Sequence, residues 1–216
     1  MRPITSTVGP LTAQTVNNVI LSQTRTGAGN LLVNGSLASG GVATLSTPQR
    51  LLVTDLGNNS SISYTIFGTT WAGDYAAETV AGTSSGTSVT KTDFATVTRV
   101  YSTGTVTTGV EIGTNGTGAS AWIFLDPYAL GTCYYQAVVS GTVNYTLQST
   151  SDDPNSPTSP IAVPSVTWQT LIPGVVGATA NTQGNFTGTP SYVRCLLNSG
   201  TGSVTLTVTQ SGAVTY

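Results

Sequence analysis

The sequence predicts an all-β protein of antiparallel strands, with a β-sandwich or jelly-roll-like architecture. Apolar residues alternate with threonine and serine at a period of two in several segments, most clearly in Ser-Val-Thr-Leu-Thr-Val-Thr-Gln at 203–210. This alternation is typical of strands that bury one face. No stretch keeps a period of 3.6 residues beyond two turns, so no helix is predicted.

The strands are predicted in pairs, because short segments rich in glycine, asparagine and serine separate them. Such segments between two alternating runs favour β-hairpins. Four of these turns are Gly57–Asn59, Ser102–Gly104, Ser140–Gly141 and Asn198–Gly202. The hairpins predicted around them span residues 50–67, 95–112, 133–149 and 192–210. An earlier hairpin is predicted from residues 18–24 and 30–37.

The order of these hairpins predicts two tandem β-sandwich units, at 17–113 and 119–216. A long hairpin is followed by a second one in each half, and residues 97–105 resemble residues 193–201. The Gly-Thr-Asn-Gly-Thr-Gly run at 113–118 is typical of a linker. A single larger jelly roll is the alternative.

Two segments do not follow the strand pattern. Residues 1–16 contain Pro3 and Pro10 and lack strong alternation, which predicts an extended N-terminal arm, either frayed or laid on a neighbouring subunit. Residues 151–160 contain three prolines and lengthen the second unit. Because proline cannot donate to a strand ladder, this second segment is predicted to be a loop.

The chain has very few charged residues. It contains 6 Lys and Arg, 8 Asp and Glu and no His, for a net charge of −2. This field is too weak to favour nucleic acid or an anionic membrane. Since lysine and glutamate lose much side-chain entropy when immobilised, their scarcity suits a protein that is packed against partners. We therefore expect a structural protein, with no nucleic-acid or membrane partner.

Catalytic arrangements find little support in the sequence. Serine and cysteine triads need an imidazole, which the chain lacks, and Lys91 has no nucleophile motif near it. Asp74, Glu78 and Asp93 form the nearest group of carboxylates, but Glu78 is predicted on the outward face of a strand. We expect no enzymatic activity, no cofactor and no resident metal.

Three weaker hypotheses concern binding and redox state. Asp152, Asp153 and Asn155 could offer oxygens to calcium, although their spacing is not that of an EF-hand. The tryptophans could line a sugar platform, although strand aromatics are more often core or subunit contacts; they are Trp71, Trp122 and Trp168. Cys133 and Cys195 are predicted as buried free thiols, with a disulfide between them as the alternative.

An ordered set of motifs resembles virion structural proteins of tailed bacteriophages, of the capsid decoration or cement type. The resemblance covers residues 17–212. The motifs that carry it are Gly41–Arg50, Val53–Ser60, Tyr64–Thr69, Glu78–Gly82, Phe94–Thr98, Gly116–Trp122 and Ser140–Thr146. These proteins are small β-sandwich or jelly-roll clasps, often trimers, that sit over capsomer junctions.

The resemblance implies a protein assembled in the host cytoplasm and located on the capsid surface, with the major capsid protein and copies of itself as partners. The first seven residues lack the apolar run of a secretory signal, and no segment is long and apolar enough to span a bilayer, which agrees with this expectation. Arginine is favoured at interfaces, so five arginines are the expected polar anchors. They are Arg2, Arg25, Arg50, Arg99 and Arg194.

Other functions remain open at this point. A tail, baseplate or head–tail connector component would share this composition and differ in copy number. A fibre or receptor-binding module would be favoured by exposed tryptophan or tyrosine with affinity for sugars. A non-viral surface adhesin is a further alternative.

Overall fold

A computed structural model describes residues 3–126, 132–171, 175–188 and 190–210. The chain divides into two compact units. The N-terminal unit comprises residues 12–117, and the C-terminal unit combines the residues up to Leu11 with those from Gly118 onward. The boundary at residues 117 and 118 falls within the segment predicted as a linker.

The N-terminal unit contains two antiparallel sheets. One holds, in spatial order, β2 (Ile20–Arg25), β11 (Val106–Thr114), β6 (Leu51–Asp55) and β9 (Thr87–Val89). The other holds β4 (Ala38–Ser39), β5 (Val42–Gln49), β10 (Phe94–Ser102), β7 (Ser63–Thr69) and β8 (Tyr75–Ala81), with β3 (Gly29–Leu31) also on β10. Apolar side chains from both sheets, among them Ile20, Tyr64 and Ile112, form one buried core.

The C-terminal unit is also built from two sheets. One holds β1 (Ile4–Val8), β19 (Ser203–Gln210), β14 (Thr132–Ser140) and β17 (Thr182–Thr187). The other holds β12 (Gly118–Ala119), β18 (Tyr192–Gly200), β15 (Val143–Thr150) and β16 (Gln169–Thr170), with β13 (Ile123–Phe124) also on β18. A 3-10 turn at Val163–Ser165 lies between β15 and β16. The core includes Val8, Tyr145 and Leu206.

The prediction of an all-β fold with antiparallel sheets is confirmed. The alternation that predicted it follows the two faces of each strand. In β19, Val204, Leu206 and Val208 are buried, while the threonines between them are half-exposed. The small hydroxyl side chains suit the outer face because their β-branch fits a pleated surface.

The predicted hairpins are wrong, although the strands within them are present. The two strands of each predicted hairpin lie in opposite sheets: β6 and β7, β10 and β11, β14 and β15, β18 and β19. The segments β2 and β3 are likewise in different sheets. Each short turn therefore carries the chain across the core. Alternation shows which face of a strand is buried, but it does not specify the neighbour that supplies the hydrogen bonds.

The prediction of a separate extended arm at residues 1–16 is also wrong. Strand β1 pairs antiparallel with β19, from Ile4 opposite Val208 to Val8 opposite Val204. Residue 15 belongs to the other unit, where its amide donates to the carbonyl of Thr114 at 3.0 Å. Five residues beside prolines are too short to give a clear strand signal, and Pro3 is tolerated because it precedes an edge strand.

The two units share one strand order. The sheet β2-β11-β6-β9 corresponds to β1-β19-β14-β17, and β5-β10-β7-β8 corresponds to β12-β18-β15-β16. The first strand of the first sheet comes from a different place in the sequence in each unit. In the N-terminal unit the strand beside β11 is β2, which begins that unit. In the C-terminal unit the strand beside β19 is β1, which precedes the whole N-terminal unit.

Candidate functional site

The arginines predicted as anchors differ in whether the fold itself uses them. Arg2 lies outside the described residues. Three others make contacts within the fold. Arg25 donates to the backbone carbonyls of Ala28 and Asn30, and Arg194 donates to the side-chain oxygen of Gln148 at 2.9 Å. The guanidinium Nε of Arg50 lies 3.7 Å from a carboxylate oxygen of Asp93. Arg99 is exposed on β10 and pairs with no carboxylate in the described parts of the chain. Among the arginines that the structure describes, Arg99 is therefore the one available to a partner.

Arg99 stands in an aromatic face on the outside of the N-terminal unit. We define this face by Phe67, Tyr75, Arg99 and Tyr101. The register places Arg99 opposite Phe67 and Tyr75 opposite Thr69 on three neighbouring strands. The guanidinium carbon lies 3.8 Å from the Phe67 ring centre, and the Phe67 and Tyr75 rings are 6.4 Å apart.

The aromatic face is open to solvent. Tyr75 is 71% exposed and Tyr101 is 36% exposed, although tyrosine rings gain free energy when they are covered. Arginine and tyrosine are the residue types that most often dominate binding energy at protein interfaces. The chemistry of the face therefore suits a partner that covers the rings and accepts hydrogen bonds from Arg99.

A similar stack in the C-terminal unit is already covered by its own chain. Arg194 lies on β18, which corresponds to β10, and its guanidinium is 3.9 Å from the Trp168 ring centre. Trp168 comes from the segment between β15 and β16. Arg194 is only 3% exposed. The same outer surface is thus covered by the chain in one unit and open in the other.

The tryptophans do not form one sugar platform. Trp122 and Trp168 lie together in the C-terminal unit, with ring centres 4.9 Å apart and planes at 76°. Tyr192 packs edge-on against Trp122, and Phe124, which is 52% exposed, packs against Tyr192. Trp71 belongs to the other unit. Edge-to-face packing stabilises this cluster but gives no flat row of parallel rings.

A second surface of the C-terminal unit is free of charge. The outward-facing residues of the sheet β1-β19-β14-β17 are hydroxyls, amides, Tyr134 and Val138, with no charged side chain among those described. Hydroxyls meet across the strands, Thr5 with Thr207 at 3.2 Å and Thr7 with Thr205 at 3.0 Å. This surface could be buried without desolvating a charge.

The candidate carboxylates hold loops in place. Glu78 faces inward and is 8% exposed, so its predicted outward position is wrong. Its two oxygens accept the backbone amides of Lys91 and Thr92, both at 2.8 Å, which fixes the connection between β9 and β10. Asp93 lies beside Arg50, and Asp74 is exposed in the β7–β8 turn.

Asp55 is a buried carboxylate that sequence analysis missed. It accepts four hydrogen bonds, from the Tyr64 hydroxyl at 2.6 Å, the Asn59 amide at 2.8 Å, and the Thr83 amide and hydroxyl at 2.7 and 3.0 Å. Burial, together with the neighbouring carboxylate, raises the pKa of Tyr64 well above its ordinary value. The position of Asp55, at a strand end just before a turn, was the available signal for this role.

The proposed calcium ligands are also engaged by the protein. Asp152 accepts the amide of Thr167 at 2.6 Å, and Asp153 accepts the amide of Asn155 at 2.9 Å and the hydroxyl of Tyr192 at 3.2 Å. Within the described ranges, no three His, Cys, Asp or Glu side chains gather into a metal-binding group. The geometry assigns these oxygens to loop structure.

Both cysteines are buried free thiols in the core of the C-terminal unit, on β14 and β18. Burial raises the pKa of both, that of Cys195 to about 12, so neither is an activated nucleophile.

The comparisons with known proteins gave no match. No protein-family model, curated protein or solved structure resembles this chain significantly. No helix in the described part of the chain is long and apolar enough to cross a membrane.

Proposed function

We propose that this protein is a non-enzymatic virion structural protein that binds the outside of a phage capsid and stabilises it as a decoration, or cement, protein. The observation that carries the proposal is the aromatic face, where Arg99 and exposed tyrosines stand on an antiparallel sheet. Its residue types are those of interface hot spots. The resemblance of the sequence motifs to phage decoration proteins supports the same conclusion.

The finer fold in this proposal is one jelly roll in each unit. In the N-terminal unit, the sheets run β2-β11-β6-β9 and β5-β10-β7-β8, so that the chain crosses repeatedly between two sheets, with β7 and β8 adjacent in one of them, as in paired Greek keys. The C-terminal unit repeats this order. Two such units in tandem would present two clasps from one chain.

The mechanism would be mass action on the assembled shell. A protein that binds only the shell stabilises it by about 3 kcal/mol per site when its concentration is about 100-fold above Kd. The partner would be the major capsid protein, together with further copies of this chain in a closed oligomer such as a trimer. Such an assembly forms in the host cytoplasm and remains on the virion surface.

The test is co-sedimentation with capsid shells that lack this protein. We expect saturable binding at the stoichiometry of capsomer junctions, together with a higher melting temperature of the shell. Arg99→Ala should weaken binding at least tenfold, as for a hot spot. Lys91→Ala is the matched control, because it removes an exposed positive charge outside the aromatic face and should leave binding unchanged.

The outcomes separate the alternatives. No binding would overturn the capsid proposal. Binding of a few copies per particle would favour a tail, baseplate or connector component. A receptor-binding role draws on one observation, the exposure of Phe124 beside Tyr192 and Trp122, and a glycan array that gives binding lost in Phe124→Ala would support it.

A further inference from the structure

The C-terminal unit is completed by a strand from outside its own stretch of chain. The position beside β11 in the N-terminal unit is filled by β2, the first strand of that unit. The corresponding position beside β19 is filled by β1. The chain enters the C-terminal unit at Gly118 and continues directly to β12 without forming such a strand. This sheet position therefore accepts a strand that the rest of the unit does not supply.

Strand β1 is a short edge strand that also lies near β18 and β13. It spans five residues and pairs with one neighbour, β19. Val8 is its buried apolar side chain, and the buried Ser6 hydroxyl donates to the carbonyl of Ala121 at 2.9 Å. Thr5 and Thr7 form exposed hydroxyl pairs with Thr207 and Thr205 of β19. Without β1, a long edge of β19 would present unpaired amides and carbonyls.

The connection after β1 leads from the C-terminal unit into the N-terminal unit. Residues 9–19 separate β1 from β2. Leu11 packs against the core of the C-terminal unit, whereas the Ala13 carbonyl accepts from the Thr114 hydroxyl and the Thr15 amide donates to the Thr114 carbonyl in the N-terminal unit. Gly9 has φ +92°, a conformation that favours glycine, and a side chain there would overlap the carbonyl oxygen of Gly202. Strand β1 is therefore joined to the N-terminal unit by a short connection, and in an exchange it would move together with the N-terminal unit of its own chain.

We propose that copies of this protein associate by exchanging β1, so that residues 4–8 of one copy pair with β19 of a second copy. The occupant follows from the structure, because a second copy carries the identical strand and reproduces every contact of the first. Exchange of an identical element needs no new interface and is a low-cost route to an oligomer. The proposal concerns self-association and stands independently of shell binding.

The test is disulfide trapping between two full-length chains. One chain carries Thr5→Cys and the other Thr207→Cys, with different affinity tags, and both are expressed in the same cell and oxidised after purification. These positions are directly opposite in the register, and their hydroxyls are 3.2 Å apart. We expect a disulfide between position 5 of one chain and position 207 of the other, identified by mass spectrometry of the linked peptides.

The control pair is Thr65→Cys with Thr79→Cys on separate chains. These hydroxyls are 2.9 Å apart on the β7–β8 hairpin, which lies within one unit and has a short connection. The exchange pair should give at least tenfold more linked heterodimer than this control. A double variant with Thr5→Cys and Thr207→Cys in one chain tests the geometry. Linkage within that chain, with heterodimer no higher than the control, would overturn the proposal.

Discussion

Removal of the Asp55 carboxylate should destabilise the N-terminal unit strongly. In Asp55→Ala, the Tyr64 hydroxyl loses its acceptor and the side-chain amide of Asn59 keeps only the Gly109 carbonyl at 3.3 Å, while both residues stay buried, at 0% and 2% exposure. A buried donor left without a partner costs about 1–3 kcal/mol. The backbone amide and hydroxyl of Thr83 supply the other two donors, and because Thr83 is half-exposed, water can replace the carboxylate there. We therefore expect a loss of about 4 kcal/mol in the free energy of unfolding.

The assay is urea unfolding combined with hydrogen exchange. Urea gives the free energy of unfolding, and exchange read by mass spectrometry assigns the loss to peptides of β6, β7 and β8. Asp55→Asn keeps the shape and one acceptor oxygen, so it should lose about half as much. Asp74→Ala removes an exposed carboxylate and should change stability by less than about 0.5 kcal/mol.

The expected loss of stability requires that water cannot reach the Tyr64 hydroxyl and the Asn59 side-chain amide. If Asp55→Ala lost less than about 1 kcal/mol, water would have to reach Tyr64 and Asn59, and the network would not fix the β6–β7 turn. If Asp74→Ala lost as much as Asp55→Ala, the loss would reflect net charge and not the buried hydrogen bonds.

Two further predictions concern the C-terminal unit. Its stability should fall as pH rises through 9, because burial raises the pKa of Cys195 to about 12 and keeps the thiol protonated in the folded state while the unfolded thiol ionises around 9.0. The loss from this thiol is about 2 kcal/mol at pH 10.5, nearly vanishes below about pH 8, and should shrink in Cys195→Ala. Arg194→Ala should lower the free energy of unfolding in urea by about 2 kcal/mol, since it removes the stack on Trp168 and the hydrogen bond to Gln148. Arg194→Lys should not restore the stability, because an ammonium group lacks the planar guanidinium. Equal stability of Arg194→Lys and the unaltered protein would contradict this explanation.

The strands could be predicted from the sequence because their alternation is a local property. Each buried position of β19 is separated by one residue from the next, and Val204, Leu206 and Val208 show this without knowledge of the neighbours. Pairing is not local. The turn at Ser140–Gly141 looks like that of a hairpin, yet β14 pairs with β19 and β17, and β15 pairs with β18. A short glycine turn allows both outcomes, and the packing of the second sheet decides between them.

In the candidate site, too, local features could be predicted from the sequence and contacts between distant residues could not. Composition indicated that the few arginines would be anchors, and nothing in the sequence distinguished Arg99 from Arg194. The difference arises from the segment between β15 and β16, which places Trp168 over Arg194, whereas Arg99 stacks on a ring of its own sheet. Strand β1 was missed for a related reason. Its partner β19 is distant in the sequence, with Thr5 opposite Thr207 at a separation of 202 residues, and no local signal reports such a contact.

Because the chain has few charges, the edge strands of its sheets are open to pairing with other chains, which agrees with the proposed assembly. Soluble proteins usually protect edge strands with lysine or other charges. Strand β17 has no charged residue, and the one charged residue of β8, Glu78, points inward to hold a loop. Both edges therefore lack the usual protection against pairing with another chain. Symmetric closure into an oligomer removes such edges. An uncharged surface that is hazardous for an isolated molecule is then well suited to a protein that functions in contact with copies of itself and with a shell.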